Sequence, residues 1–355
     1  MKFFRQDKIH IFVTFFWIFV CTSVNGVAEP ASFSGSKQLR LAGSSTVFPF
    51  SAIVAELFTK QHQYPAPVVE SNGTGGGIHQ FCTRTGDGYP DIVNASRQIK
   101  ESERHYCAQN GISDIHEIVI GYDGIIIANK KGEKLFDLSP QDLWLALAKE
   151  IPYQGKLIPN PNTSWKDIQS TFPKHDIEIL GPPPTSGTRE SFTETIMQKG
   201  CPDLTKILNM SEQDAKFQCS LIREDGAFVD AGENDNLIIQ KLQKNKYALG
   251  VVGYSYYARN THLIQASKIS GTEATPENVR NHRYTAARSL FIYTKPPAPL
   301  KKEALYTFID FYLSQDMLGE NGFLAQKGLI PLTETERQAQ DVKIKQELKK
   351  ERRPE

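Results

Sequence analysis

The chain has no excess of charge of either sign: 41 Lys+Arg stand against 40 Asp+Glu in 355 residues. No broad field exists to draw nucleic acid onto the surface. With 39% hydrophobic residues, long disordered tracts are not expected either. Glycine (25) and proline (20) follow no repeat period, which excludes collagen-like and low-complexity organisation. No G-x-x-x-x-G-K-[ST] loop, G-x-S-x-G elbow or H-E-x-x-H pair occurs, so nucleotide hydrolysis, acyl transfer and zinc proteolysis lack their residues. The eight histidines are scattered without metal-ligand spacing, and no metal or cofactor is expected. The acidic run Glu224, Asp225, Asp230, Glu233, Asp235 misses the EF-hand pattern and reads as a solvated loop.

What is present begins with a compartment signal. Lys2, Arg5 and Lys8 precede an apolar run of about 12 residues, Ile9 to Val20, followed by small and polar residues. This is the layout of a signal peptide, cleaved after Ala28 or, as second choice, Gly26. The run is shorter than the ~20 residues a membrane-crossing helix needs. Val20 before Cys21 argues against lipidation. Removing residues 1–28 takes away three bases and one acid and moves the net charge from +1 to −1. Export makes the four remaining cysteines, Cys82, Cys107, Cys201 and Cys219, disulfide candidates. Four cysteines allow three pairings, and local closure favours Cys82–Cys107 with Cys201–Cys219. No C-x₂₋₄-C pair supports zinc instead.

Short β-type runs (LRLAG, PVVES, DIVNAS, EIVIGY, GIIIAN, IEILG, ALGVV, SLFIY) alternate with helical spacing. Phe50, Ile53, Val54, Leu57 and Phe58 recur with helical period, Ser139-Pro140 opens a second helix, and KKEALYTFIDFYLS forms a late one. Strands alternating with helices predict an α/β chain with mainly parallel sheets, and the length suggests two domains. Residues 334–355 are charged and poor in apolar groups, and read as a frayed helix or a solvated tail.

Three turns share one design of strand, small hydroxyl and glycine residues, then helix. They are Gly43-Ser44-Ser45-Thr46, Asn72 to Gly77, and Thr185-Ser186-Gly187-Thr188 with Arg189 at the helix start. A helix start exposes unpaired N–H groups and the positive end of the dipole; glycine permits close approach, and hydroxyls add donors. One such turn is an ordinary N-cap. Three at strand carboxyl ends point to an anion-binding crevice.

In order, GSSTVFP, ESNGTGGGIHQF, DIVNASRQIK, GYDGIIIANK, GPPPTSGTRESF and YALGVVGYSYY resemble the phosphate-binding proteins of ABC phosphate importers, over residues 38–335. The resemblance implies a two-lobed (type II-like) periplasmic binding protein, each lobe a mainly parallel sheet flanked by helices. Two crossing strands join the lobes, and there is no catalysis. It places lobe 1 in 29–122 and 288–335, lobe 2 in 123–287, and the charged tail in 336–355, with crossings at Tyr122–Gly124 and Ala287–Ser289. It implies ligand contacts from Ser45, Thr46 and Val47, from Thr74, Gly75 and Gly76, from Ser96 and Arg97, and from Ser186, Gly187 and Thr188.

Two positions depart from the family pattern. Arg97 stands where the best-known members carry an Asp that accepts the phosphate proton, and Pro182 where they carry an Arg. Arg97 or Arg189 is left to supply the guanidinium, and Glu70 or Asp123 the acceptor. The expected function is capture of inorganic phosphate by a periplasmic monomer, with transfer to the permease of an ABC importer and no role for nucleic acid. The alternatives are another tetrahedral oxyanion (sulfate, a phosphonate), a secreted phosphate-ester hydrolase, or a surface receptor built on the same lobes.

Overall fold

The computed structural model describes residues 37–232 and 234–352; the signal-peptide expectation for 1–28 lies outside them. The chain opens with strand–helix units: β1 (Arg40–Gly43), α1 (Phe48–Gln61), β2 (Val68–Ser71), α2 (Thr74–Thr83), β3 (Ile92–Ala95) and α3 (Glu101–Gln109). β1 lies between β2 and β3 and pairs parallel with both. In α1, Ser51, Val54, Ala55 and Phe58 are the buried positions, the i, i+3, i+4, i+7 stripe expected of a helix laid on a sheet.

β4 (His116–Lys130) then runs for 15 residues. Sequence punctuation at Gly121 to Gly124 suggested two strands, but the backbone stays extended and changes partner instead. Further on come α4 (Pro140–Leu147), capped by Ser139, then β5 (Ile179–Gly181) and α5 (Gly187–Phe192). α5 continues through a π-helical turn, Thr193–Met197, to Gly200. Next are β6 (Phe228–Asp230), α6 (Asp235–Lys244), β7 (Leu249–Gly253), α7 (Tyr254–Arg259) and β8 (Ile264–Ala266). β9 (Ala287–Thr294), α8 (Lys302–Tyr312) and α9 (Glu334–Arg352) complete the chain.

Nine strands form the main sheet, ordered β2-β1-β3-β9-β4-β7-β5-β6 with β8 also on β4, and two small two-stranded sheets lie outside it. β4 pairs antiparallel with β9 over His116 to Gly124, then with β7 over Ile125 to Ala128. The packing divides at the same place. One core cluster is drawn from Tyr122 to Ala287 with Ile330 and Leu332, and a small one of Leu204, Ala215 and Cys219 lies within the same span; two further clusters take residues from before Tyr122 and after Ala287. The result is a two-lobed α/β architecture with β4 and β9 passing between the lobes. A third segment joins them: Tyr122 and Ile330 exchange backbone bonds of 2.8 and 3.0 Å. Gly121, at φ 146°, allows that approach, because a Cβ there would lie 2.7 Å from the Ile330 carbonyl oxygen.

Both disulfides form in the expected pairing. Cys82–Cys107 ties α2 to α3, and Cys201–Cys219 ties the end of the α5 extension to the helix Glu212–Ser220. Two sequence expectations need correction. The charged C-terminal stretch is not a solvated tail but the helix α9, docked on β4. Ile344 is buried, and Gln340 bonds both backbone groups of Val119. Tyr122 Oη donates to Glu336 at 3.2 Å, and His116 meets Glu347 at 3.0 Å. Docking through polar side chains leaves no apolar periodicity to read. The acidic run is not uniformly solvated either: Asp235 is buried and accepts from the Gly253 amide at 3.0 Å. Among the described residues no helix is long and apolar enough to cross a membrane.

Candidate functional site

The first turn follows β1. The Ser44 amide donates to the Asn94 carbonyl (2.8 Å), and its Oγ accepts from the Thr46 amide (3.2 Å), a hydroxyl-closed turn just before α1. Val47 is buried in the lobe 1 core, which leaves Ser45 and Thr46 to face outward. The third turn follows β5, where Ser186 Oγ accepts from the Thr188 amide at 3.2 Å and starts α5. The two turns touch. Thr46 Oγ1 donates to the Gly187 carbonyl (3.1 Å), and Ser45 Oγ donates to Glu190 Oε2 (2.8 Å). A Cβ on Gly187 would sit 2.6 Å from the Thr46 amide nitrogen, so only glycine permits this approach. Ser45, Thr46, Asp123, Ser186, Gly187 and Thr188 line a cleft of ≈ 410 Å³, with Gly253 and Ser255 from the β7–α7 junction and the cations Arg259 and Lys327.

The second turn sits to one side. Thr74 and Ser96 are buried against each other: Thr74 Oγ1 lies 3.0 Å from Ser96 Oγ and accepts from the Ser96 amide at 3.1 Å. Gly75 and Gly76, in the first turn of α2, are exposed. These four residues do not line the cleft; the turn approaches α5 through Gly73, where a Cβ would be 3.9 Å from Glu190 Oε1.

The charged centre is Arg288 on β9, only 7% exposed. Its Nη2 donates to Thr46 Oγ1 and Ser191 Oγ, and its Nη1 meets Glu194 Oε2 at 3.2 Å. Nε is 3.7 Å from Asp123 Oδ2 and makes no hydrogen bond. Asp123 is the residue paired with Arg288 across β4 and β9. Burial pushes its carboxyl above the usual range, and the guanidinium offsets part of that rise. The arrangement combines hydroxyl donors and helix starts around a cleft that Pro49, Phe50 and Ile53 also line, with the buried Arg288 guanidinium behind it on Thr46 Oγ1. It is equipped to hold a compact oxyanion.

Comparison with known proteins identifies the family. Residues 28–316 match the family model described as a PBP superfamily domain. The chain belongs to the PBP superfamily. Within it the chain is PstS-like. It is 32% identical to "Protein SphX" of Synechococcus elongatus over 76% of this chain and 72% of that one. It is 29% identical to "Phosphate-binding protein PstS" of Staphylococcus saprophyticus over 81% and 79%. The crystal structure of a possible phosphate binding protein from Planctomyces limnophilus matches with a TM-score of 0.68 at 26% identity, covering 90% of this chain and all of that one.

Against this PstS-like background, two arginines singled out from sequence are engaged elsewhere. Arg97 forms a two-pronged pair with Glu103 (2.8 and 2.9 Å), the carboxylate that also accepts from the Lys100 amide at the start of α3. That hydrogen-bonded pairing raises the Arg97 pKa. Arg189 bonds the Pro182 carbonyl at 3.3 Å and lies 4.0 Å over the Phe228 ring, and burial lowers its pKa. Of the two acceptor candidates, Asp123 lines the cleft, whereas Glu70 is exposed and paired with Arg40 at 3.1 Å. Arg288 is the residue the motifs missed. Its signal was a lone cation between small residues in the segment expected to cross between lobes, Ala287–Ser289.

Proposed function

We propose that the chain is an extracytoplasmic binding protein that captures inorganic phosphate between its lobes and delivers it to an ABC-type importer. The observation that carries this reading is the meeting of the first and third turns, with Gly187 of one lobe against Thr46 of the other at the mouth of a hydroxyl-lined cleft. A site built from neutral donors and helix ends suits a small dianion excluded from water, and it does no chemistry on its ligand. On this reading residues 1–28 are removed on export. Residues 29–122 with 288–335 form one lobe, 123–287 the other, and the monomer closes by bending where β4 and β9 cross.

The ligand set in this reading is Ser45, Thr46, Val47, Ser186, Gly187 and Thr188 from the facing turns. Thr74, Gly75, Gly76 and Ser96 complete it from the side of α2, and Asp123 is the acceptor for a phosphate hydroxyl. Calorimetric titration of the mature, phosphate-stripped protein, first with phosphate and then with sulfate, tests it. One-to-one phosphate binding with silent sulfate is expected, along with no turnover of a chromogenic phosphate ester. Equal heats for both anions would replace phosphate with a broader oxyanion class, and ester turnover would make the protein a hydrolase.

A further inference from the structure

Three carboxylates crowd the groups that favour an anion. Glu190 accepts from Ser45 Oγ at 2.8 Å, Glu194 holds Arg288 Nη1 at 3.2 Å, and Asp123 lies 3.7 Å from Arg288 Nε. Glu190 and Glu194 are four residues apart on α5 and its π turn, so they project from one face toward lobe 1. Glu194 also lies close enough to Arg97 of lobe 1 to add to the rise in its pKa that the Glu103 hydrogen bond causes. Arg97 is committed to Glu103, and Arg189 to Pro182 and Phe228. Arg288 therefore supplies the buried positive charge beside Thr46 and Asp123, and its Nε–H is still without a hydrogen-bond acceptor. A buried donor without an acceptor favours any ligand that provides one.

This inference rests on the oxyanion reading above. We propose that Arg288 anchors the anion electrostatically and that Glu194 sets the affinity by competing with the anion for the same guanidinium. A tetrahedral oxyanion placed against Arg288 meets a cation already half-neutralised by Glu194 and feels the like charge of that carboxylate. The competition weakens binding of every oxyanion, whatever protons it carries, so Glu194 tunes affinity without choosing between phosphate and sulfate. A carrier that must release its cargo has a use for such a rival.

The test titrates phosphate and sulfate into wild type, Glu194→Gln, Arg288→Met and Arg288→Lys by calorimetry, with the unfolding temperature of each. E194Q is expected to bind phosphate about tenfold more tightly, and to tighten any sulfate binding by a similar factor. R288M is expected to weaken phosphate binding by about a hundredfold or more, and R288K to recover part of that loss. A purely structural ion pair predicts the opposite for E194Q: a lower unfolding temperature with unchanged or weaker binding. That result overturns the proposal while leaving the phosphate reading intact. E194Q keeps Arg288 in place, so it decides the matter even if R288M fails to fold. Wild type that binds neither anion overturns the functional reading and this inference with it.

Discussion

Gly187→Ala separates lobe closure from folding. The added methyl would lie 2.6 Å from the Thr46 amide nitrogen and 2.9 Å from both the Ser45 carbonyl carbon and Thr46 Cα. The first distance is 0.8 Å short of the 3.4 Å at which ordinary contact begins, and all three neighbours are backbone atoms that cannot rotate aside. Gly187 is not among the glycines with positive φ, so alanine brings no backbone strain, and at a helix start it is the better helix former. The cost is overpacking, about 1–3 kcal/mol. On the proposed reading it falls on the closed arrangement alone, because Thr46 and Gly187 belong to different lobes. Phosphate affinity should then drop by roughly 5- to 150-fold, while the unfolding temperature without phosphate stays within about a degree of wild type. Calorimetric titration and thermal unfolding of the same sample give both numbers. Binding within twofold of wild type would show that the turns need not meet for capture. A fall of several degrees in the phosphate-free unfolding temperature would show the contact to be part of a fixed core, and either result refutes the argument.

Two further perturbations probe the scaffold. Burial holds the Lys295 ammonium down at about 8, so the folded state binds fewer protons than the unfolded chain above that pH. Stability should therefore rise by roughly 2 kcal/mol between pH 7.5 and 9.5, and Lys295→Met should flatten that rise in urea titrations; an equal slope in the variant would refute the assignment. Ile344, on the docked face of α9, is 1% exposed. Ile344→Ala should cost about 2–3 kcal/mol in chemical denaturation, and a loss under about 0.5 kcal/mol would mean that α9 is not docked in solution.

The parts legible in sequence were those whose physics is local. Strand–helix alternation, the α1 stripe and the Ser139 cap depend on neighbours within a turn or two; the structure repeats the alternation and the cap, and turns the α1 stripe so that Ser51 and Ala55 are buried with Val54 and Phe58 while Phe50, Ile53 and Leu57 are only partly covered. The three hydroxyl-glycine turns were visible for the same reason. Their grouping was not: whether Thr74 faces the cleft or Ser96 depends on the placement of β3, outside the reach of any window around the motif. Arg97 looked available because its partner, Glu103, lies in the next helix, and Arg288 looked unremarkable because its partners Thr46, Asp123, Ser191 and Glu194 are 94 or more residues away in sequence. β4 was read as two strands because glycines normally end strands; here Gly121 makes room for Ile330 while the ladder continues.

Where the charges sit explains how such a site can bind with a net charge near zero. Asp123 and Arg288 face each other in the register of β4 and β9, in the segments that pass between the lobes. Backbone pairing fixes their separation, so a swing of the lobes about that point changes it little. Ser45 and Thr46 on one side, and Ser186, Gly187 and Thr188 on the other, lie off that axis and move most. On the proposed reading, the ligand first meets a fixed charge pattern at the pivot, and closure then adds neutral donors around it. The charge pattern contributes similar attraction in the open and closed arrangements and so cannot by itself drive closure, since a ligand shifts an equilibrium only by its differential affinity for the two states. That differential must come from the hydroxyls and amides delivered by the moving turns. Affinity variants at the pivot, such as R288K, should therefore change binding without changing how far the lobes close, whereas G187A should change closure itself.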